Sequence, residues 1–232
     1  MTIDLDRYRA VQGAAKQVLA ELCDMIGSDS TEESIAAFAI QRLSELGLPD
    51  TWYHSCPAFV LAGDRTCLSI SGREYTPNTD PIGNENLVTV DLSPCAGEVW
   101  GDCARSFAIE RGRVAVNPSR PDFRRGAEAQ FRLHLEMREF VEPETRFSEL
   151  YEFANNRISS LGFLNLDFLG NVGHSIEKNR EDRVFADAHN HLEIASVPFF
   201  TFEPHIREAN GVWGFKHENI YYFDDNGDLA EL

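Results

Sequence analysis

The chain has 232 residues, 43% of them apolar and 25% charged, which is enough to bury a sizeable core and ordinary for a globular protein. Lysine and arginine number 21 against 38 aspartates and glutamates, and the resulting formal charge of −17 argues against nucleic acid or an anionic membrane surface as the partner. No stretch approaches the ~18 apolar residues of a membrane span, and the first residues lack the apolar core of a secretory signal. Five cysteines (Cys23, Cys56, Cys67, Cys95, Cys103), without a CxxC pair, fit free thiols in a reducing, cytoplasmic interior.

In chain order, residues 6–27 have helical spacing, with Val11, Ala15, Val18, Leu19 and Leu22 on one face. Ser30 to Ser34 resembles an N-cap with an acidic first turn, and the helix that follows stops at Gly47, where a left-handed cap fits. Residues 51–71 read as a strand and a turn, and 72–86 as a polar loop. Two short strands are expected next within 86–109, joined by Ser93-Pro94-Cys95-Ala96-Gly97. Asp91 ends the first and Asp102 lies early in the second. Burying an acid in a β run is costly unless it is paired or binds a cation. Two acids on neighbouring strands repel, and a divalent ion between them relieves this.

After a turn at 117–121, residues 123–140 form a long amphipathic helix that carries His134 towards solvent. The segment 21–48 can then be laid without gaps on 136–163, bringing Phe38/Phe153, Ala39/Ala154, Arg42/Arg157, Leu46/Leu161 and Gly47/Gly162 together. A helix–loop–helix–Gly pattern repeated at half the chain length predicts two similar halves, roughly 1–116 and 117–232, in one domain with its site between them. The C-terminal third is strand-rich. His174 follows Gly173 there, Glu203 lies in the apolar run 197–206, and Glu218 in the aromatic run 211–223. Four carboxylates and one imidazole suit two divalent cations, because carboxylates can bridge ions a few Å apart. A water shared by the ions would have its pKa lowered towards neutrality, giving a hydroxide nucleophile.

The order Asp91, Asp102, His174, Glu203, Glu218 resembles the ligand signature of the pita-bread metallopeptidases, the fold of methionine aminopeptidase, aminopeptidase P and prolidase. The matching pieces are Val90-Asp91-Leu92, Gly101-Asp102-Cys103-Ala104-Arg105-Ser106-Phe107, Gly173-His174-Ser175-Ile176, Phe202-Glu203-Pro204 and His217-Glu218-Asn219. The resemblance implies an α+β fold of two pseudo-symmetric halves with a curved, mainly antiparallel sheet covered by helices. It also implies a stand-alone catalytic domain without the N-terminal domain typical of prolidase and aminopeptidase P. Asp91 would hold one ion, His174 and Glu203 the other, and Asp102 and Glu218 would bridge them. Manganese is the first expectation, with iron, cobalt and zinc as alternatives. Glu203 would also pass a proton from the attacking water to the leaving amine.

By the same resemblance His54, in Trp52-Tyr53-His54, would contact substrate. One of His189 and His191 would stabilise the tetrahedral intermediate, and His191 is favoured because it leads directly into an apolar segment. His205 can line the pocket, His217 should point away from the face of Glu218, and Arg105 can pair with a ligand carboxylate. Ser175 and His205 stand where the family has glycine, as does Glu177, and Cys103 replaces a usual threonine. The implied function is a dinuclear metal hydrolase that removes the N-terminal residue of a small peptide, as an Xaa-Pro aminopeptidase does. A metal enzyme acting on a non-peptide small molecule is the alternative, and a binding module follows. Partners would be a short peptide or small molecule, with a homodimer left open, and no nucleic acid or membrane.

Overall fold

The structure is a computed structural model and describes residues 4–232. Helix α1 (Leu5–Met25) begins where the Asp4 carboxylate accepts from the Arg7 amide, and it buries the stripe Val11, Ala15, Val18, Leu19 and Leu22. Helix α2 (Glu32–Glu45) opens with a reciprocal cap between Thr31 and Ser34. It closes at Gly47, whose φ of +84° turns the chain out of the helix. The strands β1 (Asp50–Thr51) and β2 (Ala58–Ala62) follow, then a single 3-10 turn over Gly63–Cys67. The buried carboxylate of Glu32 ties this corner together by accepting from the Ala62 and Asn78 amides, both at 2.8 Å, and from Arg65 Nε at 2.9 Å.

The central strand is β3 (Glu85–Leu92). It is followed by β4 (Pro94–Ala96), β5 (Val99–Trp100), β6 (Cys103–Glu110) and β7 (Arg113–Val114). The two expected strands are neighbours, but the second begins at Cys103, just after Asp102 rather than before it. Strand β3 pairs antiparallel with β6, setting Asp91 opposite Ala104 and Leu92 opposite Cys103. Residues 93–102 bulge out and make a separate small sheet, β1-β4-β5. Residues 87–90 are buried, and β6 covers β3 along its full length. Asp102 is left in the connection between β5 and β6, just ahead of the ladder.

Helix α3 (Pro121–Phe140) starts with proline in its first turn, and α4 (Phe147–Ser160) ends at Gly162, again with φ +84°. The offset of 115 residues is visible in side-chain contacts. Arg42 Nε lies 2.7 Å from Glu21 Oε2, and Arg157 Nε lies 2.5 Å from Glu136 Oε2. His134 does not face solvent: it is buried, and its ring bonds to the Tyr221 hydroxyl (2.8 Å) and the His217 carbonyl (3.1 Å). The helical stripe Phe123, Ala129, Leu133, Met137 continues through position 134, which is why the packing takes it in.

The C-terminal strands are β8 (Phe163–Asn165), β9 (Phe200–Phe202), β10 (His205–Glu208), β11 (Gly214–Lys216), β12 (Asn219–Phe223) and β13 (Leu229–Glu231). All pairings in the four sheets are antiparallel; the other three have the orders β2-β3-β6-β7, β11-β10-β8 and β13-β12-β9. Two main apolar clusters result. One joins α1, α2, β2, β3 and β6, and the other joins α3, α4 and the C-terminal strands. Backbone bridges sew the sheets together at Ala104–Glu218 and Ser175–Phe200. The inward ends of β3, β6, β9 and β11 therefore meet in one place. Among the described residues no helix is long and apolar enough to cross a membrane, and the five cysteines are unpaired.

Candidate metal centre and substrate cavity

Asp102, His174 and Glu218 bring one ligand atom each to within 4.8 Å of one another, and all three are buried. His174 Nε2 lies 3.4 Å from Asp102 Oδ2 and 3.6 Å from Glu203 Oε1. Its other ring nitrogen, Nδ1, donates to the Ser175 carbonyl at 2.8 Å. A carbonyl only accepts, so the proton is fixed on Nδ1 and the Nε2 lone pair faces the carboxylates. Trp52 and Phe185 pack edge-on against the ring, and Trp52 is itself stacked on Trp100 at 4.8 Å.

The Asp102 main chain is clamped by a residue that motif reading passes over. Gln12, fully buried on α1, accepts from the Asp102 amide and donates to the Asp102 carbonyl, both at 2.8 Å. The available signal was a glutamine inside an otherwise apolar helical stripe. Glu218 is held through its backbone, the amide donating to Ala104 O at 3.0 Å. Arg105 does not pair with a ligand carboxylate; its guanidinium donates to the Ala104 and Glu218 carbonyls and to Asn219 Oδ1, each at 2.7 Å. The His217 ring packs on His134, 4.4 Å between centroids.

Both carboxylate oxygens of Glu218 are buried without a hydrogen-bond partner. Leaving a carboxylate so costs several kcal/mol unless it is protonated or meets a cation. Burial and the neighbouring Asp102 and Glu203 push its carboxyl well above the usual value, and burial with Asp91 nearby lifts Asp102 to about 6 despite the His174 hydrogen bond. Oxygen donors with one correctly oriented imidazole suit a divalent ion, and the residues present therefore fit a metal.

Lys216, at the end of β11, was not among the expected site residues. Its ammonium lies 2.5 Å from Asp91 Oδ2, 3.0 Å from Glu203 Oε2 and 3.5 Å from Glu218 Oε2, the last without hydrogen-bond geometry. Burial opposes its charge, but Asp91, Glu218 and Glu203 together hold its pKa well above the ordinary value. Burial likewise opposes ionisation of Glu203, and Lys216 and His174 keep its carboxyl below the usual value. The sequence signal for Lys216 was its place two residues before Glu218 in an otherwise aromatic run.

Asp91, Asp102, His174, Glu203 and Lys216 form one wall of a cavity of about 870 Å³ whose other walls include Tyr53, Phe59, Phe168 and Phe185. His54 lines it with a left-handed backbone, φ 46°, and its Nδ1 accepts from Arg73 Nε at 3.0 Å and Arg180 Nη1 at 2.9 Å. Burial and these arginines lower its pKa, so the imidazole is neutral and presents Nε2–H. His205 also lines the cavity, donating Nε2–H to the Thr66 carbonyl at 2.7 Å, and burial lowers its pKa to about 4. His189 is on the cavity wall. His191 is not; it is exposed beside Ser148, 3.2 Å from its hydroxyl, because the turn at 187–190 directs the two imidazoles apart. Arg183 spans the rim, its guanidinium 5.0 Å above Trp52 and 5.2 Å above Phe185.

The architecture has close counterparts. An X-Pro aminopeptidase from Thermotoga maritima superposes with a TM-score of 0.80 at 13% identity, over 98% of this chain and 60% of that one. Prolidase from Pyrococcus furiosus gives 0.79 at 15%, over 98% and 63%. Methionine aminopeptidase from Rickettsia prowazekii gives 0.70 at 15%, over 98% and 95%. At these identities the likeness is one of fold, the pita-bread arrangement of curved antiparallel sheets flanked by helices. The chain spans about three-fifths of the X-Pro aminopeptidase and prolidase chains. No curated protein sequence matches it. The sequence profile described as metallopeptidase family M24 matches residues 6–225, and with the buried Asp102, His174, Glu218 cluster this makes the chain a member of that family of metal-dependent hydrolases.

Proposed function

We propose that this protein hydrolyses the N-terminal peptide bond of a short substrate, in the manner of an Xaa-Pro aminopeptidase, with manganese as the working ion, in the cytoplasm. The observation that carries the reading is the convergence of buried Asp102, His174 and Glu218 beside a substrate-sized cavity that Asp102 and His174 line, with both Glu218 oxygens lacking a hydrogen-bond partner. Asp102, His174 and Glu218 would hold the metal, which polarises the scissile carbonyl and acidifies a water beside it. Glu203, ionised and 3.6 Å from His174 Nε2, would take the proton of the attacking water and hand it to the leaving amine. His54 Nε2–H and His189 would donate to the substrate, the latter towards the oxygen that gains charge. Arg183, a cation lying across two aromatic faces at the rim, suits a substrate carboxylate.

A second reading is favoured by Arg183, which adds a positive charge to the cavity wall: the substrate would then be a small anionic molecule other than a peptide. The test is release of free amino acid from a panel of Xaa-Pro and other short peptides by manganese-loaded protein, with Asp102→Ala as the inactive control. His189→Ala should lower turnover more than His191→Ala. No hydrolysis across the panel by protein that retains its metal would overturn the peptidase reading in favour of the second.

A further inference from the structure

We infer that Lys216 is a built-in cation of this centre: its ammonium takes the position of one of the two ions that four carboxylates could hold, so the chain binds a single divalent ion on Asp102, His174 and Glu218. The inference rests on the metal reading above and departs from the two ions expected of the ligand set.

The geometry is the first support. The ammonium sits between Asp91 on β3, Glu203 after β9 and Glu218 before β12, at 2.5, 3.0 and 3.5 Å. Asp91 is committed to this contact and lies outside the three-residue cluster whose ligand atoms converge. The lysine backbone is pinned on both sides. Its amide donates to Ser106 Oγ at 2.8 Å, its carbonyl accepts from the same hydroxyl at 3.0 Å, and β11 holds it opposite His205 of β10.

Charge is the second support. Asp91, Asp102, Glu203 and Glu218 carry four negative charges when ionised. Lys216, Arg183 and one divalent ion supply four positive ones, and His174 and His205 are neutral in the tautomers fixed by their carbonyl partners. A second divalent ion would leave two uncompensated positive charges in a largely buried site and would have to sit against an ammonium, where low dielectric makes the repulsion strong. A lysine in this position thus does electrostatically what an ion would do, without the ability to polarise a substrate oxygen as a Lewis acid.

The test is metal stoichiometry. Metal-free protein is titrated with manganese(II) alone, desalted and assayed for bound metal, with electron paramagnetic resonance to separate an isolated ion from a coupled pair. The expected result is one ion per chain with an isolated-ion spectrum, rising to two in Lys216→Met and staying at one in Lys216→Arg. Asp91→Asn should keep the ion, whereas His174→Ala should lose it. Two ions in the unmodified protein would overturn the inference while leaving the metal-dependent reading intact; no ion would overturn both. If Lys216→Met does not fold, the count on the unmodified protein still decides.

Discussion

At the scale of single residues, the centre depends on partners that anchor the ligands by their main chain. Gln12 is the sharpest case. Its carboxamide satisfies both main-chain groups of Asp102 in a fully buried setting. Gln12→Leu keeps the volume and the helix but leaves a buried N–H and C=O unpaired, so unfolding free energy should fall by about 2–4 kcal/mol in urea titrations. The same change should weaken metal binding, since Asp102 loses what aims it. Both effects on one substitution would separate an anchoring role from simple core packing. Lys216 illustrates the converse: a charged side chain buried on account of the charges around it, which no packing argument would place there.

At the scale of elements, the two helix pairs end in the same way. Gly47 and Gly162 both have φ +84°, and a Cβ at either would meet nothing within 4 Å. The cost of alanine at these positions is therefore the left-handed backbone alone, about 1 kcal/mol each. Gly47→Ala and Gly162→Ala should destabilise by similar amounts in denaturant titrations, and the double variant should show the sum because the sites lie in separate clusters. The recurrence of Glu21–Arg42 as Glu136–Arg157 was legible because three- and four-residue periodicity and terminal glycines are local properties of a chain. The point at which β6 begins was not. Where it begins depends on residues 93–102 being drawn into the separate β1-β4-β5 sheet, a pairing with a distant segment.

At the scale of the whole molecule, stability should fall in acid for a reason unconnected with the ligands. His134 is buried and neutral between Tyr221 and His217, and desolvation lowers its pKa from 6.5 to about 3. The unfolded chain takes up a proton below pH 6.5 and the folded one does not. This contribution is complete above pH 6.5 and is lost as pH falls, at about 1.4 kcal/mol per unit down towards 3. Asp102 acts in the opposite sense in metal-free protein: its raised pKa, about 6, favours the folded state in acid and loses that contribution as pH rises through 6. The His134 term is isolated by comparison with His134→Gln. The unmodified protein should be more stable at pH 7.5, with the gap closing by about 1 kcal/mol between pH 6.5 and 5.5 in urea titrations. An unchanged gap would mean that His134 is protonated in the fold.

The sequence by itself determined the helix pairs, their repeat, and the chain order of Asp91, Asp102, His174, Glu203 and Glu218, because each is written in local spacing and in residue types that have few reasons to stand in apolar runs. Only the tertiary structure decided what surrounds them. It turned His189 rather than His191 to the cavity, took His134 into the core, and assigned Arg105 to carbonyls. It also placed Gln12 on Asp102 across 90 residues and Lys216 on Asp91 across 125. Contacts over such separations come from the packing of two halves against one another, and a side chain's role there is fixed by the charges and unpaired groups that packing brings to it.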